Sequence, residues 1–389
     1  MEDHRARGAE FLPYGPPDAE GRQVEVPEAF NAVELEYAAI RKSAALLDEP
    51  HRGVVEVRGA DRIEFLNNMI TQELKDLETF ACRPSFWLNR KGRIDADILV
   101  VHMPDRTLFD LDVHTAAHTA QTLTDFIFAE DAALRDATED LHRMSLHGPG
   151  ARALLASLCD TGNTIASIEP GGVATAKIAG AETIVARCDQ TGECGMLLFV
   201  PAEAAPAVYA SLIEAGAPAD PEAPPNTEEG RVGLRPIGWH AFNVARIEHG
   251  TPLFNLDFGG ENLPAETGVL DERVSFTKGC YLGQEVVARM HALGKPKQKL
   301  VGLRFETQDA QPFTGCKVFA ASDEDSVGDP IGSITSSTLS PLLGAEPIAF
   351  ASVRTKFAEQ GTQLIVEAEG ARAKATVQPS LRFWPTPKP

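Results

Sequence analysis

Ten residues, Phe276-Thr277-Lys278-Gly279-Cys280-Tyr281-Leu282-Gly283-Gln284-Glu285, gather an ammonium, a thiol, a carboxamide and a carboxylate around two glycines. Glycine takes backbone angles closed to other residues and lets a ligand approach the main chain, so this set suits a polar ligand or thiol chemistry. Val286, Val287 and Met290 follow as a short apolar stripe. A turn or strand end running into a helix is expected here. Cys280 then stands near a helix N-terminus with Lys278 two residues away, and both features favour the reactive, metal-binding thiolate. The other reading of Cys280 is a small buried hydrophobe. From Asp271 to Arg304 there are seven Lys or Arg against three acids, in a chain of net charge −20. A basic patch on so acidic a protein points to an anionic small ligand.

The rest of the chain must position this stretch. Its 389 residues suffice for two or three domains with sizeable cores. No run approaches the roughly 18 apolar residues of a membrane span, and Met1 to Arg7 do not open a secretory signal. A pI near 4.9 argues against nucleic acid as a partner. The six cysteines form no C-x-x-C pair, which excludes a zinc ribbon or thioredoxin motif and fits a reducing cytoplasm. A complete iron–sulfur site from this chain alone is not expected, since such clusters want four closely arranged cysteines.

Residues 1–28, polar and Pro/Gly-punctuated, read as an N-terminal extension without a core. A helix is expected from Val33 to Leu47, a strand at Gly53–Arg58 and a helix after Asp61. Phe86-Trp87-Leu88 and Ile94 to Met103 read as a hairpin about Asn89-Arg90-Lys91-Gly92. Period-two spacing puts Asp95 and Asp97 on one face of its second strand, as a solvated face or a functional pair. Gly216 to Pro225 reads as a linker and Glu228 to Arg235 as a helix. Trp239 and His240 could line a flat-ring pocket or be simple packing. From Lys299 onward, six short strands separated by Gly and Pro predict a small antiparallel barrel.

Lys278-Gly279-Cys280-Tyr281-x-Gly283-Gln284-Glu285 resembles the signature of the YgfZ-type folate-binding proteins, which include Iba-type iron–sulfur assembly factors and are relatives of the glycine cleavage T protein. Ala288-Arg289-x-His291-x-x-Gly294 looks like that family too. Arg246-Ile247-Glu248-His249-Gly250-x-Pro252, Leu263 to Gly268 and Ile331 to Ser336 resemble T-protein anchors, so the likeness runs from about Ala32 to Leu381. It implies an α+β, three-lobed T-protein-like architecture, with two interleaved α+β lobes over 29–296 and a C-terminal antiparallel β-barrel over 297–385. It implies tetrahydrofolate or another folate as cofactor. Tyr281, Gly283, Gln284, Glu285, Arg289, Glu266 and Trp239 are its expected contacts, and Cys280, Lys278 and Asp97 are the expected catalytic groups.

The sequence departs from the T-protein pattern at three points. Ala96 stands where those enzymes carry the first of two adjacent aspartates, and only Asp97 matches the second. Thr191-Gly192-Glu193-Cys194-Gly195-Met196-Leu197 places Leu197 where a glutamate holds the pterin ring. His147 of His147-Gly148-Pro149 replaces a glutamine. The signature therefore favours a folate-binding accessory protein for iron–sulfur protein assembly or repair, acting through Cys280 on assembly machinery or client proteins. The alternative is a tetrahydrofolate-dependent aminomethyltransferase or demethylase, with Asp97 as acid/base or electrostatic partner and a lipoylated carrier or small methylated amine as donor. A folate-independent interaction protein is a third reading.

Overall fold

Ala44-Ala45-Leu46-Leu47 does not continue the helix from Val33. The helix stops at Lys42, and Ala44–Asp48 is a strand. Its apolar residues are buried on both sides, and strands flank it at Leu141–His147 and Leu234–Ile237. A helix could have buried only one stripe of this run. The strand Leu234–Ile237 likewise replaces the end of the expected helix Glu228–Arg235 and pairs parallel to Ala44–Leu47.

The computed structural model describes residues 2–17, 20–216, 227–228, 231–306, 311–321, 328–368 and 370–384. Past Gly216, the expected linker lies outside the described residues. The chain divides into two units: residues 1–69, 73–85 and 97–242, and residues 70–72, 86–96 and 243–389.

In the first unit, the six-stranded sheet runs Val173–Ile178, Ala181–Arg187, Gly195–Pro201, Leu141–His147, Ala44–Asp48, Leu234–Ile237. One face is covered by helices Ala151–Leu158 and Ala205–Gly216 around Leu146, Leu154, Leu198, Val208 and Leu212. The other packs Leu197 and Phe199 against Val54, Val101 and Leu108. The described part of residues 1–28, expected to be an extension without a core, has buried residues of its own. The helix Glu2–Ala6 and the antiparallel hairpin of Ala9–Tyr14 with Val24–Phe30 belong to this unit, and His4 and Val26 are buried. Buried Asp48 accepts hydrogen bonds from both His4 Nε2 (2.6 Å) and His142 Nε2 (2.5 Å), tying the N-terminus down.

In the second unit, six antiparallel strands close a barrel in the order Gln298–Phe305, Glu346–Arg354, Gly332–Ser340, Lys317–Ala320, Gln363–Ala368, Ala371–Val377. Alternate residues fill it, among them Val301, Leu303, Ala349, Ala351, Leu364 and Val366. The Arg-x-Glu anchor bolts the helix Trp239–His249 to the strand Gly332–Ser340. Buried Arg246 pairs with Asp257 at 2.6 Å and donates to Ser336 Oγ, also at 2.6 Å. Glu248 accepts from Ser340 Oγ and from the Leu342 amide.

Candidate functional site

The signature loop leads into the helix Gln284–Leu293, as its pattern predicts. Gly283 is the N-cap, at φ 80°, and a Cβ there would stand 2.9 Å from Asn89 O. Gly92, at φ 73°, would clash with the Val286 side chain if it carried a Cβ. These two glycines let the helix start press against the Asn89–Gly92 turn. Gly279 has open space around it, so nothing steric demands glycine at that position.

Lys278 is buried and points into the protein. Its ammonium donates to Ile70 O (2.7 Å) and Gln72 O (2.9 Å) and lies 5.2 Å from the Tyr281 ring centre. Its ammonium is thus engaged by the main chain of residues 70 and 72. Cys280 is exposed and four positions ahead of the first helical residue. Tyr281 belongs to the apolar cluster of Phe86, Leu88, Phe254, Phe258 and Val287, and burial pushes its hydroxyl up to about 12. Glu266 is committed locally, accepting from Asn262 Nδ2 (3.0 Å) and the Leu263 amide (3.2 Å). Gln284 is half-buried, and Glu285 and Arg289 face solvent.

Beside this loop, Asn89, Lys91, Arg93, Asp95, Gly260 and Glu261 line a pocket of about 420 Å³. Arg93 and Glu261 form an ion pair, and Asn89 Nδ2 donates to Asp95 Oδ1 at 2.9 Å. Sequence reading found the hairpin turn but not Gly260 and Glu261, which no spacing connects to it.

Asp97 and Trp239 belong to the first unit. Along Ile94–His102 the predicted alternation holds: Asp95 and Asp97 are half-exposed, while Ile94, Ala96 and Ile98 are buried. Trp239 packs edge-on against His51 at 5.5 Å and tilts against Phe242, and His240 pairs with Glu28 at 2.8 Å. These are packing and ion-pair contacts within the first unit. Glu193 pairs with Arg41 at 3.7 Å, and Arg41 also donates to Thr191 O at 2.6 Å. Burial raises the Glu193 carboxyl, partly offset by Arg41. Leu197 is fully buried, opposite Ser145 on the neighbouring strand, so the carboxylate of the T-protein pattern has become an apolar contact. Next to Ser145 along that strand's face, His147 shares a 2.9 Å hydrogen bond with Ser145 Oγ, and burial pushes the imidazole down to about 3. His147 Nδ1 and Thr191 Oγ1 are buried without a hydrogen-bond partner among the described residues.

The GCVT N-terminal domain model matches residues 2–278, and the glycine cleavage T-protein C-terminal barrel domain matches residues 298–383. The chain belongs to the glycine cleavage T-protein family. Its likeness to other T-protein-family members runs the length of the chain. An aminomethyltransferase of Chlorobium luteolum is 28% identical over 360 residues, covering 91% of both chains. One of Desulfitobacterium hafniense is 28% identical over 389 residues, covering 98% of this chain and 96% of the relative. The fold matches that of the glycine cleavage system aminomethyltransferase T from Bartonella henselae, with a TM-score of 0.81 at 23% identity over 99% of this chain and 97% of that one. These findings overturn the iron–sulfur accessory reading drawn from the signature: the relatives matched end to end are named aminomethyltransferases. Within the T-protein family, the signature loop has a structural account in Lys278, Tyr281 and Gly283. No described helix is long and apolar enough to cross a membrane.

Proposed function

We propose that this protein is a tetrahydrofolate-dependent aminomethyltransferase or demethylase, moving a one-carbon unit from an amine to the folate. The observation that carries the reading is the end-to-end match to proteins named aminomethyltransferase, through both the N-terminal domain and the barrel. The residues present fit a folate ring in altered form. Leu197 offers it no carboxylate, but the orphaned acceptors His147 Nδ1 and Thr191 Oγ1 can take N–H bonds of the kind a pterin edge donates. The low imidazole pKa keeps His147 neutral at pH 7, and Nδ1 is an acceptor in the tautomer whose Nε2–H donates to Ser145 Oγ. These two residues would hold the ring, and the bound folate would supply the nitrogen that accepts the one-carbon unit.

Asp97 is assigned the charge work of the transfer. A half-exposed carboxylate on a rigid strand can stabilise positive charge at the amine nitrogen of the donor, or hold a proton there. The test follows folate product formation by the purified protein: methylenetetrahydrofolate from a lipoyl-carried aminomethyl donor, whose carbon is already at that oxidation level, or methyltetrahydrofolate from a small methylated amine. Asp97→Asn should lower kcat by roughly 10²-fold or more and leave the melting temperature in place. No product from the wild type, or full activity in Asp97→Asn, would refute the assignment.

A further inference from the structure

The pocket at the Asn89–Gly92 turn has an unusual charge pattern. Of its four charged side chains, Arg93 and Glu261 neutralise each other. Lys91 has no hydrogen bond or ion pair from its ammonium among the described residues. Asp95 receives one hydrogen bond, from Asn89 to Oδ1, and its other oxygen receives none among those residues. One cation and one carboxylate oxygen are thus left uncommitted in a single pocket.

The walls of the pocket are built. Asn89 Oδ1 accepts from the amides of Lys91 (3.0 Å) and Arg93 (3.2 Å), so one side chain fixes both the turn and the Asp95 carboxylate. The Ile94 amide donates to Asn262 O at 3.1 Å, tying the Gly260–Glu261 wall to the hairpin, and Asn262 Oδ1 accepts from the Gly259 amide at 2.9 Å. Beneath, Gly92 and Gly283 bring the helix Gln284–Leu293 against the turn. The Asp95 carboxylate, held by Asn89, loses little freedom when a ligand binds. A volume of about 420 Å³ falls in the range of small-molecule sites.

We infer that this pocket binds a small zwitterion, an amino acid or N-methylated amino acid, with its ammonium on Asp95 and its carboxylate on Lys91. A simple anion would satisfy Lys91 but meet the repulsion of Asp95, and a simple cation the reverse. Only a ligand carrying both charges uses both groups. Any role of this ligand as a donor rests on the one-carbon-transfer reading and is transfer of an intact methyl group, since its methyl carbon is already at that oxidation level; the binding itself does not rest on it.

The experiment is calorimetric titration of the full chain with N-methylglycine in the absence of folate, beside acetate and methylamine, each of which carries one of the two charges. Saturable one-to-one binding is expected for N-methylglycine, at least about tenfold tighter than either control, since each uses only one charge. Lys91→Met and Asp95→Asn should each weaken it by about tenfold or more. Both changes are on half-exposed or exposed positions, and the side-chain carbonyl that Asp95→Asn retains can still accept from Asn89. No saturable binding at millimolar N-methylglycine, equal binding of acetate or methylamine, or binding that neither variant weakens overturns the inference. Loss of one-carbon transfer with amine binding intact refutes the reaction and leaves this site standing. Intact transfer without amine binding refutes this site alone.

Discussion

Replacing Lys278 with methionine separates the two roles that a buried lysine in a signature loop could play. Methionine keeps the length and apolar stem of the side chain and deletes only the ammonium. Two carbonyls then lose their donors, Ile70 O at 2.7 Å and Gln72 O at 2.9 Å. Their surroundings differ: Ile70 is fully buried, whereas Gln72 is half-exposed and can turn to water. One buried acceptor left without a partner costs about 1–3 kcal/mol, and the released desolvation of the ammonium offsets part of that. The net loss should be ~1–2 kcal/mol, a fall in melting temperature of roughly 2–8 °C for a unit of this size. Hydrogen exchange locates the effect: the Ser275 amide, which donates to Thr71 O at 3.0 Å, should exchange faster, while amides of the barrel should not. Folate affinity, measured below the melting transition, should be unchanged. An unaltered melting temperature together with weakened folate binding would refute the reasoning and restore Lys278 as a ligand-facing group.

Gly283→Ala forces a side chain into φ 80° and toward Asn89 O at 2.9 Å, so it should cost about 1–3 kcal/mol; Gly279→Ala, in open space, should be within about 0.5 kcal/mol of wild type by denaturant unfolding. The N-terminal hairpin should be pH-sensitive through Asp48. Burial raises the Asp48 carboxyl, but hydrogen bonds from His142 and His4 outweigh this and hold it below its ordinary value of 3.8, so its stabilising share is present above that pH and lost in acid as pH falls through the lowered value. Burial lowers the His142 imidazole, but its bond to Asp48 carries it above the ordinary 6.5, so that share is full below pH 6.5 and lost as pH rises through the raised value. Exchange at residues 9–14 should therefore be slowest between these limits and accelerate above neutrality relative to the barrel strand Gln298–Phe305; His142→Gln should remove the alkaline acceleration, and its persistence would assign the effect elsewhere.

Much of the architecture is legible in local pattern. Gly and Pro punctuation with alternating apolar residues marks the six barrel strands, and alternation of Asp95 and Asp97 with Ile94, Ala96 and Ile98 marks a half-buried strand, because side-chain direction in a strand follows from spacing alone. Ala44 to Leu47 misleads for the same reason: a short run buried on both faces has no period, and only its neighbours in the sheet make it a strand. The polar N-terminus misleads because its anchoring uses His4 and Asp48, whose meeting depends on residues 44 positions apart.

The signature loop shows the same division at the candidate site. Its residue types determined that a helix starts at Gln284, with a left-handed glycine before it. What each side chain does was decided by tertiary contacts. Lys278 is committed to the carbonyls of Ile70 and Gln72, about 200 residues away in the chain. Tyr281 is in an apolar cluster, and Glu266 closes a turn. Leu197 removes a carboxylate from its place in the family pattern, a loss the sequence states outright. The orphaned acceptors of His147 and Thr191, and the opposed charges of Lys91 and Asp95 beside Glu261, exist only in the folded chain. Sequence assigns the charge and hydrogen-bonding capacity of each group; whether that capacity is consumed internally or left for a ligand depends on which distant atoms the fold brings within about 3 Å.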